Sequence, residues 1–302
     1  MTVAVVYGDH AKALPLLHWA MQFARARQSD ALVLQPVLAR GPTKVKEIDT
    51  SDPASSDPLI QAVQSCFGKD PDKVVKNEET ENGDASDANT GDDSSEVKLA
   101  AVKKIESRDL VEAIRVELSN SSVNLLILPR PTTTRSTSPS FTLARRLFRV
   151  AHCETMQLCV GDSTGHDCQS ILVPSGGGHP TTTALNLATS VADMNDGKVT
   201  ALYVEPYVDD VAELVGQKII DRYVAKALGN KTQRVSTQVV LSNNVPKGIA
   251  LARESGHDLV LLGVAHHGVV HRVLFPSITE PVMMADSSSA VALVRPAIAP
   301  VF

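Results

Sequence analysis

Three groups of residues in this 302-residue chain have types and spacings suited to chemistry. Gly176, Gly177 and Gly178 follow a short apolar run. Glycine there lets a ligand approach the backbone, although a tight turn after a strand uses the same residues. Gly263 and Ser277 bracket a second stretch, which holds His266, His267 and His271. Arg130, Arg135, Arg145, Arg146 and Arg149 crowd a third, where they suit either an anion or a solvated helix face.

Stronger chemistry is not encoded nearby. His267 and His271 are four apart and would share a helical face, but no Cys, Asp or Glu lies close in sequence to complete a metal set. No metal site is expected. No G-x-S-x-G elbow occurs, and Gly176–Gly178 lacks the third glycine of G-x-G-x-x-G. The acids concentrate in residues 68–96, so paired catalytic carboxylates cannot be singled out. No catalytic residue is expected, and the chain reads as a non-enzyme.

Composition sets the frame for these groups. The chain is 43% hydrophobic, but only 4% aromatic, so its core must be Val, Leu, Ile and Ala. That suits parallel strands buried on both faces. No run approaches the roughly 20 apolar residues of a membrane helix, and the first residues lack signal-peptide character. A cytoplasmic protein with reduced, structural Cys66, Cys153, Cys159 and Cys168 is expected. Residues 68–96 carry ten acids and three lysines, which leaves the remainder near +2 against an overall −5. A near-neutral folded part argues against a nucleic-acid partner. The acidic stretch is almost free of apolar residues and is expected to be disordered. The prolines at 42, 53 and 58 suggest that this insert spans about 42–96, with a short helix within it at Leu59–Phe67.

The rest alternates strands and helices. Strands are expected at Thr2–Tyr7, Ala31–Leu38, Val97–Lys103, Val123–Leu128 and Met156–Val160. The order then restarts with Ser170–Pro174, Lys198–Val204, Ser236–Leu241, Asp258–Leu262 and Ala290–Arg295. Such alternation implies an α/β fold of two tandem, five-stranded, parallel, doubly wound domains. They are bounded at 1–163 and 164–302. Two stacked sheets arranged as a pseudo-dimer are expected. The last strands, Met156–Val160 and Ala290–Arg295, should pair antiparallel so that neither leaves an exposed edge. The repeat is also visible in residues, for VNLLILP (123–129) sets against HDLVLLG (257–263).

The second half carries a resemblance. SILVPSGGGHPTTTALNLA, GKVTALYVEP and HDLVLLGVAHHGVVHRVLFPSITEPVMMADSSSAVALVRP resemble, in order, the strands and loops of universal stress protein domains. The resemblance covers residues 170–296, and the first half follows it more weakly. It implies a stress-response or regulatory module. ATP-binding members carry Gly-x2-Gly-x9-Gly-Ser/Thr after the fourth strand and an aspartate after the first. By that pattern Pro174, Ser175, Gly176, Gly177, Gly178, Val204, Gly263, His266, His267 and Ser277 would line a nucleotide site. The pattern is broken here. His266 and Pro276 replace glycines, Pro276 lacks an N–H, and Gly176 stands at the aspartate position. In the first half Gly8 replaces the aspartate, and residues 129–142 hold no glycine. Degenerate nucleotide sites are therefore expected, with weak binding of ATP or AMP, or slow hydrolysis, in the second half as the alternative. ILVPSGGG also resembles stress-protein domains fused to amino-acid permeases, which suggests a membrane transporter as partner. Self-association, as a pseudo-dimer or a homodimer, is the other partner that the family implies.

Overall fold

The computed structural model describes residues 1–7, 13–52, 55–67, 97–130, 139–160, 168–176, 178–207, 211–229, 233–264, 281–282 and 289–298. The first half runs β1 (Thr2–Val6), α1 (Ala13–Ala26), β2 (Asp30–Leu38), β3 (Lys44–Glu47), α2 (Pro58–Phe67), β4 (Leu99–Ser107), α3 (Leu110–Asn120), β5 (Val123–Pro129), α4 (Pro139–Val150) and β6 (Glu154–Cys159). The second runs β7 (Ser170–Pro174), α5 (His179–Met194), β8 (Lys198–Glu205), α6 (Ala212–Leu228), β9 (Val235–Leu241), α7 (Val245–Arg253), β10 (Leu259–Gly263) and β11 (Ala290–Arg295). The boundary expected at 163 and 164 lies outside the described residues.

Among the described residues one sheet holds all eleven strands, in the order β3-β4-β2-β1-β5-β6-β11-β10-β7-β8-β9. Each half keeps the same internal order, third-second-first-fourth-fifth, and these five strands are parallel. The halves meet where β6 and β11 pair antiparallel, with Leu158 opposite Ala292 and Met156 opposite Val294. The expected pairing is therefore present, but the expected stacking is not. Hydrogen bonding edge to edge makes two sheets one. Stacking would need a free sheet face, and helices cover both.

Burial follows from strand alternation. In β1, Val3 and Val5 point to one face, and Ala4 and Val6 to the other. On the first face a single core cluster runs through both halves, from Trp19 and Phe23 of α1 to Ala184, Leu185 and Ala188 of α5. On the other face each half has its own cluster, under α3 and α4 in the first and against α7 in the second. Helix starts are specified locally. Asp109 caps α3 through the Glu112 N–H, and Asn244 caps α7 through the Lys247 N–H.

The insert corrects a second expectation. The chain does not lose order at 42, for β3 adds antiparallel to β4 at the sheet edge. It is short, exposed, and carries Lys44 and Lys46, which discourage addition of another strand. The α2 helix expected from Leu59 to Phe67 is present and buries Leu59, Ile60, Val63 and Cys66. Residues 68–96 lie outside the described residues.

One cation locks the join between the halves. Arg295, at the end of β11, is 2% exposed. Its guanidinium donates to the carbonyls of Phe148, Ala151, Cys153 and Pro296 and to Thr155 Oγ1, at 2.6–3.3 Å. It also lies over the Phe148 ring. Apart from Pro296, these partners all belong to the first half.

Candidate functional site

In an open doubly wound sheet, ligands sit outside the carboxyl ends of the strands, where the strand order reverses. In the second half that point lies between β7 and β10. Their ladder pairs Leu259 with Ile171 and Val260 with Leu172 and extends no further. The corresponding ladder between β1 and β5 in the first half continues to Val5 and Ile127. The paired part of β7 and β10 thus stops short of their carboxyl ends.

Pro174 ends β7, and Ser175 continues its line, with its N–H donating to the Leu202 carbonyl at 2.7 Å. Ser175 is 6% exposed, and its Oγ has no hydrogen-bond partner. A buried hydroxyl in that condition calls for an explanation. Gly176 follows, and a Cβ built on it would meet nothing within 4 Å, so neither packing nor a positive φ demands glycine there. Gly178 differs. It precedes α5 with φ 86°, a conformation that favours glycine, and no side chain caps the helix. His179 and Pro180 begin α5.

Gly263 ends β10 in a confined place. A Cβ on it would lie 2.3 Å from the Pro180 carbonyl oxygen and 2.8 Å from the Thr181 nitrogen. The first turn of α5 presses on this strand end, so helix–strand approach alone accounts for the glycine. Val204 is brought to the same end of the sheet, but its side chain packs against α7, where a Cβ on Gly248 would come within 2.7 Å of it. The structure therefore places Pro174, Ser175, Gly176, Gly178 and Gly263 at the carboxyl ends of β7 and β10 and the start of α5, and turns the Val204 side chain towards the helix on the other face. Gly177, His266, His267 and Ser277 lie outside the described residues, as do His271 and Pro276.

Glu205 was not anticipated. It ends β8, one strand from Ser175, and is 5% exposed. Its Oε1 accepts from the Tyr207 N–H at 3.2 Å. An acid directly after the apolar run ALYV and before a proline was the available signal.

Cys66, Cys153 and Cys168 offer no nucleophile. All four cysteines are buried thiols. Burial pushes Cys66 and Cys168 up to about 12 and Cys153 up to about 11, so none of these three supplies a thiolate near neutral pH. Among the described residues no group of three or more His, Cys, Asp or Glu is placed to hold a metal ion. No helix among them is long and apolar enough to cross a membrane. In the first half, the loop expected to hold phosphate lies mostly at 131–138, outside the described residues. Arg130 just before it donates to Gln157 Oε1 at 3.1 Å.

Residues 168–295 match the universal stress protein family. Over that span the chain resembles a universal stress protein domain. The matched span begins just before β7 and ends with β11, so it takes in every strand described in the second half. Solved structures extend the likeness over both halves. A universal stress protein from Archaeoglobus fulgidus DSM 4304 is 12% identical, with 98% of this chain and 96% of that one covered and a TM-score of 0.60. A putative universal stress protein from Pseudomonas aeruginosa UCBPP-PA14 is 14% identical, with 98% and 93% covered and a TM-score of 0.56. The cytoplasmic domain of a prokaryotic cation chloride cotransporter is 10% identical, with 98% and 95% covered and a TM-score of 0.54. At these identities the likeness is one of fold. It fits tandem universal-stress-type, Rossmann-like domains. No curated protein matches this chain.

Proposed function

We propose that this chain is a non-enzymatic, cytoplasmic regulatory module of the stress response in which the family's ATP site has degenerated in both halves. The observation that carries this reading is Gly263. It is the glycine that survives from the phosphate motif, and the first turn of α5 lies so close to it that helix–strand packing accounts for the glycine without a ligand. Two sequence features add support. Gly176 stands where a carboxylate would hold a sugar, and Pro276 cannot donate to a phosphate. The degenerate site makes regulation through a partner the more economical reading. A membrane transporter is one such partner, supported by the fold likeness to a cotransporter's cytoplasmic domain.

A second reading is weak binding of ATP or AMP in the second half, with slow hydrolysis. The buried, unpartnered Ser175 hydroxyl favours it.

Mass spectrometry of small molecules released from the purified protein, followed by calorimetry with ATP, separates the two. The degenerate site predicts no retained nucleotide and a Kd weaker than about 0.1 mM, which corresponds to roughly −5.5 kcal/mol. A micromolar Kd for ATP would overturn it. If ATP binds weakly in the second half, Pro276→Gly should tighten it by restoring an N–H. Loss of binding on changing Gly8 or Thr142 would instead place the site in the first half.

A further inference from the structure

Eleven strands in one open sheet leave two edges among the described residues, β3 and β9. The last strands of the two halves are not edges, because β6 and β11 cover each other. The two edges that remain are built differently. β3 has four residues, all exposed, and Lys44, Lys46 and Glu47 guard it with charge. β9 has seven, Val-Ser-Thr-Gln-Val-Val-Leu, with neither a charge nor a proline. Its ladder to β8 runs without a shift in register from Val235 to Leu241. A long, uncharged edge strand with no bulge is a template for another strand.

The direction of the backbone groups is fixed by the bonds at the two ends of β9. The Arg234 carbonyl accepts from the Val199 N–H, and the Ser242 N–H donates to the Glu205 carbonyl. Residues of even number therefore turn their N–H and C=O groups to β8. Val235, Thr237, Val239 and Leu241 turn theirs to the outer side, since these groups alternate along a strand. None of the seven side chains is buried, although Val235 and Val239 pack against the core on the α6 face and Val240 against the cluster on the α7 face. The flank beside the strand is apolar as well. Gln217 and Asp221 of α6 reach Thr237 Oγ1 at 2.6 and 2.8 Å. Leu214 lies three residues before Gln217 and seven before Asp221, hence on the same stripe, and is 59% exposed.

We propose that β9 is the docking edge for a second copy of this chain, the two β9 strands pairing antiparallel about a twofold axis so that the sheet continues from one molecule into the next. The register that pairs all seven residues sets Gln238 opposite the second copy's Gln238, Thr237 opposite its Val239 and Val235 opposite its Leu241. The outward N–H and C=O groups then exchange hydrogen bonds at every second pair. No like charges meet along the strand, and Arg234 just before it is engaged by Asp193 and Asp196. Size favours a copy over a lone peptide. A seven-residue ladder about 23 Å long, with a helix layer about 10 Å thick on either face of the sheet, presents roughly 700 Å2 per copy, close to the ~800 Å2 that each partner of a standard interface buries. A bare peptide strand would leave Leu214 in water, whereas a second copy brings an α6 of its own to cover it. An isologous contact closes at two copies, and the charges on β3 keep the far edges from extending the sheet. The surface is distinct from the join of β6 and β11, which is spent within one chain, and it uses no residue of the nucleotide loops, so it can fail or hold apart from the degenerate ATP site.

Sedimentation equilibrium on the full chain tests this. The chain is expected to be dimeric by about 100 µM. Gln238→Lys sets lysine opposite lysine across the axis and gives β9 the guard that β3 carries, so it should weaken the dimer by about tenfold or more. Thr237→Pro removes an N–H from the outer side and none from the β8 ladder, and should do the same. Leu214→Glu should weaken it several-fold without touching the strand, so the test stands even where a change in β9 fails to fold. Val116→Glu, on the exposed side of α3 in the first half, should leave it unchanged. Amide exchange gives a second readout. The N–H groups of Val235, Thr237, Val239 and Leu241 should exchange more slowly as protein concentration rises, while those of Ser236, Gln238 and Val240, already turned to β8, should not change. A dimer that Gln238→Lys and Leu214→Glu leave intact would overturn the proposal, as would outward amides indifferent to concentration. A chain still monomeric at about 100 µM would overturn it too, and slowing of those amides by a free Val235–Leu241 peptide would then assign the edge to a peptide strand.

Discussion

Replacing Arg295 by methionine probes what makes two halves one protein. The guanidinium is 2% exposed and donates to five acceptors, four of them in the first half. A hydrogen bond from a charged donor contributes about 1.5–3 kcal/mol, but the contributions do not simply add. Burial opposes the charge, which is why the Arg295 pKa is pushed down from its ordinary value, and part of the gain offsets that desolvation. Methionine fills much of the volume and restores none of the donors, so the carbonyls of Phe148 and Ala151 lose a buried partner. The net loss is expected at about 2–4 kcal/mol, since each buried carbonyl left without a partner costs about 1–3 kcal/mol and the desolvation of the charge is relieved. That is a large share of the 5–15 kcal/mol typical of a folded protein. Urea unfolding can be followed by circular dichroism and by fluorescence of Trp19, the chain's one tryptophan. Trp19 is fully buried in α1 of the first half, whereas the substitution lies in the second. Both probes should shift together to lower urea. Lysine at 295 should recover little, because an ammonium cannot span these acceptors as a fork does. A loss below about 1 kcal/mol, or a Trp19 transition that stays in place while dichroism shifts, would refute the idea that Arg295 couples the halves.

Gly263→Ala should destabilise by roughly 1–3 kcal/mol, because its Cβ meets backbone of α5, whereas Gly176→Ala should stay within about 0.5 kcal/mol, as thermal melts of the pair will show. Burial lowers the His257 pKa below the ordinary 6.5, so the folded chain favours the neutral ring, which hydrogen-bonds Ser170 Oγ at 2.9 Å. As pH falls below 6.5 the unfolded chain takes up that proton first, so this contribution is intact above 6.5 and declines towards the lowered folded value; urea midpoints across pH 5–8 should show the decline, and His257→Gln should flatten it. Deleting residues 68–96 should leave the melting temperature nearly unchanged, while extending the deletion through α2 should lower it by several degrees, since Leu59, Ile60 and Val63 are then lost from the core.

Most of the strand order was legible because both faces of the sheet are buried, and buried parallel strands read as plain apolar runs. Ser170–Pro174 and Ala290–Arg295 have the bounds expected of them. β3 was not legible, since the lone valine of Lys-Val-Lys-Glu makes no apolar run and the strand is placed by its antiparallel pairing to β4. The stacked arrangement failed for a related reason. Apolar edge strands declare that they want a partner, but edge pairing and face stacking exclude each other, and only the helices on both faces decide between them. At the site, Gly176 and Gly263 are identical letters with opposite environments. One faces open space and the other a helix backbone, a distinction that only tertiary approach creates. Ser175 was placed by family pattern, whereas its unpartnered hydroxyl and its neighbour Glu205 emerged only once β7 and β8 were in register.

The antiparallel join of β6 to β11 changes what the protein depends on. Two separate chains that met through this ladder would be held together only as far as their abundance allowed, and dilution would part them. Here one covalent chain supplies both strands, so each edge meets its complement at a fixed and high effective concentration in every molecule. The join between the halves should not weaken on dilution. Nor do the two halves have to remain alike, as identical subunits must. One half can surrender its ligand chemistry, take on a long acidic insertion and serve as scaffold, while the other keeps or reinvents a binding site.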